Sequence, residues 1–366
     1  MIGVLGGYGA VGGHAARLLA RWGSGALRIG GRDDVRAKRF VAAHLADVEA
    51  EAITVDIEDS ASLAAFLRGC DLVVNCAGPA HRTSERVTFA ALMAGAQLVD
   101  AGGGGRLDHV RTAVGERTVL FDAGALPGLS GLLPRWLAAA HFDSVHGLTA
   151  YAGVLDRFTA TGADDYLDGV LGAANEPLAA WREGARRSGV LQRRTEVPLA
   201  SFPRPVTVFP YLDAESERLA RDLSLTHGSW YTAVDGEHLA AALGAARGTD
   251  RADAVEALRR ATALDTAGRT PYVTLLVQLD GTHAGQPLTR TAVLRSSGIA
   301  QLTGAVTAVA ALAVLRGEVP HGTHRGDAAL DPVTAITRLT GEPGLCDLRV
   351  HDAAIDELTA VEEGAL

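Results

Sequence analysis

The stretch "MIGVLGGYGAVGGHAARLL" (residues 1–19) places six glycines in its first thirteen positions. Glycine loses more conformational freedom on folding than any other residue, and it weakens the helix or strand interior it occupies. So dense a cluster must supply a backbone shape or a close approach to a ligand. Ile2–Leu5 reads as a strand that runs straight into Gly7-x-Gly9-x-x-Gly12, with helical periodicity over Ala10–Trp22. Each glycine then has a mechanical task. Gly7 allows a tight turn, Gly9 lets the backbone approach a pyrophosphate, and Gly12 lets helix and strand pack closely. The start of the helix offers unpaired N–H groups and a partial positive charge to phosphate. Gly7, Tyr8, Gly9, Ala10, Val11 and Gly12 are therefore expected to bind a dinucleotide.

The rhythm continues outward from that turn. "ALRIGG" (26–31), "EAITVDI" (51–57), "DLVVNCAG" (71–78), "AQLVDAG" (96–102) and "TVLFDAG" (118–124) are short apolar runs. Helical patterns separate them, the last being "LDHVRTAVGE" (107–116). Continuous apolar strands alternating with helices describe a parallel sheet covered on both faces. The expected fold class is α/β, a Rossmann-type doubly wound sheet over residues 1–131.

A second, α+β domain is expected over 132–298. "VHGLTAYAGVL" (145–155), "TPYVTLLVQLDG" (270–281) and "QPLTRTAVLRSSG" (286–298) read as antiparallel strands, the last two joined by a turn at "DGTHAG". Residues 162–189, 213–225, 236–247 and 252–264 read as helical. "VPLASFPRPVTVFPY" (197–211), with four prolines, reads as a loop or an edge near the site. The apolar helix 299–316 and the remaining tail, to residue 366, are expected to pack back on the first domain.

The end of the second strand selects the dinucleotide. NAD enzymes usually carry an acidic residue there for the ribose hydroxyls. Here "RIGGRDDVRAK" (28–38) presents Arg32, followed by Arg36 and Lys38. A guanidinium suits a 2′-phosphate, so NADP(H) is expected, with Arg32 as its partner and Lys38 as a solvated helix-face charge.

Bulk properties narrow the partners. A net charge of −9 over 366 residues opposes binding to nucleic acid or to an anionic membrane surface. Cys70, Cys76 and Cys346 fit no metal-ligand or redox spacing and read as buried thiols. His321 and His324 share a turn but lack a third ligand, so no metal is expected. The first strand at Ile2 leaves no room for a leader, and the longest apolar stretch (299–315) falls short of a membrane span. The expectation is a cytoplasmic protein.

"GGYGAVG" (6–12), "GGRD" (30–33), "VDIEDSASLAAFL" (55–67), "VVNCAGP" (73–79) and "AGALPGLSGLL" (123–133) together resemble saccharopine dehydrogenase-like reductases. The resemblance covers residues 1–134 and recurs weakly over 298–326. It implies that Asn75, Cys76, Ala77, Gly78 and Pro79 line the nicotinamide side of the cofactor and that Asp56 sits near the adenine. It also implies a cleft closed by the second domain and a homodimer formed through it. The chain departs from the family at "VDAGGGGRLDH" (99–109), where Thr-Gly-Glu often follows Val-Asp. The family includes reductases of thiazoline C=N bonds in siderophore intermediates held on peptide synthetases, and reductases of enoyl groups in polyketide lipids. An imine reductase acting on a small or carrier-tethered substrate is the reading adopted. Enoyl reduction, saccharopine-type dehydrogenation and non-catalytic NADP(H) sensing are the alternatives.

Candidates for an acid or a substrate contact are His81, just after "NCAGP", Tyr151 and Tyr166 in the second domain, and His227 in "THGSWYT" (226–232). Asp156, which with Tyr151 flanks the first strand of the second domain, and Tyr231, which with His227 forms a polar-aromatic cluster, are weighed beside them.

Overall fold

The computed structural model describes residues 1–103, 115–172 and 175–364. The helix expected from "LDHVRTAVGE" lies almost wholly outside the described residues. The chain divides into two compact units, Met1–Leu132 with Ala300–Leu339, and Leu133–Ile299 with Thr340–Leu366.

The first unit opens with β1 (Ile2–Leu5), α1 (Gly12–Arg21), β2 (Leu27–Gly31), α2 (Asp34–His44) and β3 (Ala50–Thr54). It continues through α3 (Ser60–Leu67), β4 (Leu72–Asn75), α4 (Ala80–Met93), β5 (Gln97–Asp100) and β6 (Thr118–Phe121). Helix α5 (Leu129–His141) leads into the second unit. Strands β1, β4 and β6 are buried at every position, as continuous apolar runs between two helical layers require. Asp33 and Asp59 start α2 and α3 by accepting backbone N–H groups from the first helical turn.

The second unit holds the long strands β7 (Ser144–Leu155), β14 (Tyr272–His283) and β15 (Gln286–Ser296). Between them come α6 (Ala160–Leu171), β8 (Glu176–Pro177), β9 (Ala180–Arg182), β10 (Ala185–Arg187), β11 (Arg194–Val197) and β12 (Val206–Leu212). Helix α7 (Ala214–Asp222), β13 (His227–Val234), α8 (Glu237–Ala245) and α9 (Arg251–Asp265) complete that segment. The chain returns to the first unit through α10 (Ile299–Leu315), β16 (Gly322–Arg325), α11 (Gly326–Ala329) and α12 (Pro332–Thr340). It ends in the second unit with β17 (Cys346–His351) and α13 (Ile355–Gly364).

Among the described residues, seven parallel strands form the first sheet in the order β16-β6-β5-β4-β1-β2-β3. The order reverses between β1 and β4. Open α/β sheets bind ligands at such a reversal, beyond the carboxyl ends of the strands. The second sheet has ten strands in mixed directions, with β7 parallel to β13 and antiparallel to β14.

Three sequence expectations need correction, and one candidate stretch gains a place in the fold. Residues 162–189 are not one helix: α6 stops at Leu171, and a hairpin of β9 and β10 follows. Its turn, Glu183–Gly184, has both φ values positive (54° and 73°), as a type I′ hairpin turn demands. The proline-rich stretch contains β12, which pairs with β8, β11 and β13. "THGSWYT" is mostly the start of β13, an interior strand. Residues 340–366 belong with the second unit, because β17 pairs with β15. Among the described residues no helix is long and apolar enough to cross a membrane. Nor does any group of three or more His, Cys, Asp or Glu stand where it could hold a metal ion.

Candidate functional site

The glycine turn lies at the reversal of the first sheet. Gly6 carries the positive φ (70°), so the residue that turns the chain precedes the expected Gly7. Its place also has no room for a side chain, since a Cβ would lie 2.9 Å from the Cys76 carbonyl oxygen. Gly12 is pressed against the Gly6 carbonyl, and α1 begins there rather than at Ala10. Gly9 differs from both. A Cβ there would meet Gly6 O at 3.0 Å and nothing else closer than 4.0 Å. Gly9 thus borders open space, which is what a diphosphate approaching the backbone needs.

Tyr8 reaches from this turn to the end of β2. Its ring lies against Gly31, and its hydroxyl accepts the Asp33 N–H at 2.8 Å. The Arg36 guanidinium covers the ring at 5.2 Å from the centroid. Arg32 is exposed and forms no ion pair with any described residue. Lys38, by contrast, is held by Asp34 at 2.7 Å. The end of β2 therefore presents two guanidinium groups, with one ordered by an aromatic ring. Asp56, beyond β3, is exposed and accepts the Glu58 N–H at 2.9 Å, which fixes the turn before α3.

Across the reversal, "NCAGP" connects β4 to α4. Asn75 is only 1% exposed, and its side chain turns into the fold. It donates to Asp100 Oδ2 at 2.7 Å and accepts the Ala77 N–H at 3.2 Å. Asn75 and Asp100 are register partners on β4 and β5. The pair braces the Cys76–Pro79 loop from behind, while Thr83 Oγ1 donates to the Ala77 carbonyl from the front of α4. Burial, first, and Asp100, second, push the Cys76 thiol up. His81 sits half-buried in the first turn of α4.

Sequence reasoning missed Asp100. It is 2% exposed, and burial raises its pKa to about 6, against the pull of hydrogen bonds from Asn75, Gly102 and Ser84. Asp122, at the end of β6, adds to the rise and is itself paired with Arg325 of β16 at 2.6 Å. The Val-Asp pair at the end of β5 was the available sign. An aspartate whose pKa is raised on folding binds more protons in the folded chain between about pH 4 and 6. Its contribution to stability is therefore largest below the unfolded value and is lost as pH rises through about 6. Asp100→Asn lacks this dependence, and the other carboxylates are common to both proteins. The stability of wild type relative to Asp100→Asn should fall by about 3 kcal/mol between pH 4 and pH 7, at about 1.4 kcal/mol per unit. Urea titrations of both proteins across that range measure it, and parallel curves would contradict the raised Asp100.

The other candidates lie in the second unit and do not converge there. Tyr151 and Tyr231 are cross-strand partners, with rings stacked at 4.7 Å on the face that residues of α13 and of the 191–202 segment cover. Tyr166 packs on the opposite face, hydrogen-bonded to Thr232, and burial pushes it up to about 12. His227 begins β13, about 13 Å along the strand from Tyr231 at the usual strand rise. Burial holds it below the ordinary histidine value, with His146 and Arg182 adding to that and Asp280 opposing it. Asp156 accepts the Ile299 N–H at 3.1 Å and tethers the start of α10.

Residues 2–120 match the family model of the saccharopine dehydrogenase NADP binding domain. No curated protein matches the chain in sequence. In structure, the chain is similar to apo saccharopine dehydrogenase (L-Glu forming) from Saccharomyces cerevisiae, with a TM-score of 0.66 and 15% identity. That alignment covers 96% of this chain and 99% of the yeast chain, so the whole fold is shared. A nucleoside-diphosphate-sugar epimerase from Pseudomonas aeruginosa aligns over 28% of this chain and 32% of its own, at 26% identity and a TM-score of 0.24. Triphenylmethane reductase from Citrobacter sp., complexed with NADP(H), aligns over 28% of this chain and 36% of its own, at 20% identity and a TM-score of 0.23.

Proposed function

We infer that this saccharopine dehydrogenase-like chain, an oxidoreductase with an NADP-binding domain, is an NADPH-dependent reductase of a C=N bond. The observation that supports an NADPH-dependent reductase is the open backbone at Gly9 beside Tyr8, which reaches to the end of β2 where Arg36 covers its ring and Arg32 is exposed. The diphosphate would rest on Gly9 and the N-terminus of α1, and the 2′-phosphate would lie by Arg32 and Arg36. The nicotinamide would face the Cys76–Pro79 loop, with Asp56 toward the adenine. When bound, the cofactor supplies a hydride. The chain's own part is to hold the loop rigid through Asn75 and Asp100, and to offer His81 as a proton donor or a substrate contact.

Chemistry favours C=N over C=O. A carbonyl needs a positioned acid as hydride arrives, whereas a protonated imine brings its own proton. Tyr151, Tyr166 and His227 are spread over two faces and one end of the second sheet, which suits a reaction with little demand for an acid. The substrate we propose is a small thiazoline or imine, free or tethered to a carrier protein, as in siderophore assembly, acted on by a cytoplasmic homodimer.

NADPH oxidation with a thiazoline, an enoyl thioester and a 2-oxo acid plus an amino acid, together with NADP+ reduction by saccharopine, tests this. Consumption with the thiazoline alone, and product labelled at the former imine carbon by 4-deuterated NADPH, is the expected result. Turnover of the enoyl thioester alone would replace it with C=C reduction, and turnover of saccharopine with amino-acid dehydrogenation. Tight NADPH binding with no turnover of any acceptor would make the protein a sensor.

A further inference from the structure

The second unit contains a cavity of about 740 Å³, within the range of small-molecule sites. Its wall combines an apolar part with a charged one. Leu155, Tyr272 and Leu345 are buried residues that line it, and Pro203 and Pro271 extend the surface. Ser296 Oγ fixes one side by donating to the Leu345 carbonyl at 2.8 Å.

Three arginines line the same cavity, in a chain whose net charge is −9. Arg269 is held in place, paired with Asp235, which also accepts the Tyr272 hydroxyl at 2.8 Å. Arg204 and Arg295 form no ion pair with any described residue. The carboxylate on the wall, Asp347, is cross-strand from Arg295 but bonds Arg349 at 2.8 Å. Arg204 is flanked by Pro203 and Pro205, and a residue before proline is confined to extended backbone. Less is then lost in ordering it. Two exposed guanidiniums with no ion pair to a described residue, at the border of an open depression floored by Leu155, Tyr272 and Leu345, are matched by a ligand with an apolar body and an anionic head.

We propose that this cavity binds an amphiphilic organic anion, a carboxylate or a phosphate ester, with its head on Arg204 and Arg295 and its body against Leu155, Tyr272 and Leu345. The site is built from the second unit alone and does not depend on hydride transfer, so it stands or falls separately from the reductase reading.

Calorimetric titration of the full chain with octanoate, octyl phosphate, inorganic phosphate and 1-octanol tests the site. One or both octyl anions should bind more tightly than inorganic phosphate and 1-octanol, and their ranking tells a carboxylate site from a phosphate site. The double variant Arg204→Gln, Arg295→Gln should lose at least about tenfold in affinity for the preferred anion. It should keep wild-type NADPH affinity, which reports that the chain remains folded. Absence of binding by either octyl anion at millimolar concentration would overturn the proposal. So would equal binding by wild type and the double variant, or 1-octanol binding as tightly as the anions.

Discussion

Gly9→Val should reduce NADPH affinity by at least a hundredfold while moving the thermal midpoint by only a few degrees. The prediction rests on the asymmetry between two glycines three residues apart. A side chain at Gly9 meets one protein atom, Gly6 O, at 3.0 Å, and Gly9 does not need a positive φ. The protein can therefore accept valine with a small adjustment, but a diphosphate requiring bare backbone there cannot. At Gly12 the added carbon would collide with the Gly6 carbonyl and lie 3.0 Å from Gly7 Cα. Gly12→Val should accordingly lose both binding and fold, because tight packing has no space to yield. Fluorescence titration with NADPH, alongside calorimetric melting, separates the two outcomes. Undiminished NADPH affinity in Gly9→Val would remove the cofactor from this turn.

Arg32→Ala should weaken NADPH by roughly ten- to a hundredfold and leave NADH nearly unchanged. The two cofactors differ at the 2′-phosphate alone, and charge-assisted hydrogen bonds contribute about 1.5–3 kcal/mol, with about 1.4 kcal/mol per tenfold. Arg32 is exposed and has no ion-pair partner among the described residues, so its charge is available to a ligand. Arg36, stacked on Tyr8, remains in the variant and supplies residual attraction. Turnover at saturating cofactor should survive. Michaelis constants for both cofactors in both proteins give the preference ratio, and equal losses would make Arg32 a structural residue.

The parallel sheet was legible because its strands are buried on both faces and therefore appear as uninterrupted apolar runs, such as "LVVN" in β4. The hairpin of β9 and β10 was not. Its strands are three residues long and rich in arginine, and Arg186 is held by Glu176 and Glu217, partners that periodicity does not reveal. Strand β12 was hidden by Pro210, whose carbonyl nevertheless accepts the Leu178 N–H at 3.0 Å. The glycine turn could be read because it is local, all within one strand–turn–helix. The Asn75–Asp100 brace could not, since it joins residues 25 apart through sheet register. For the same reason Tyr151 and Tyr166 looked equivalent in sequence, although a pleated sheet separates them.

The route of the chain bears on its synthesis. The first unit is left at Leu132 and resumed only at Ala300, so the ribosome makes 167 residues of another unit before the first can be finished. Until β16 emerges, β6 is an edge strand with an open row of backbone donors and acceptors. Until α10 emerges, the first turn of α1 that Gly304 packs against, at His14 and Ala15 with Val11 just before it, is uncovered. A nascent chain halted before residue 300 therefore displays both a pairing edge and an uncovered helix end, incomplete surfaces that invite aggregation or chaperone capture. Neither unit can be obtained by trimming the gene from one end.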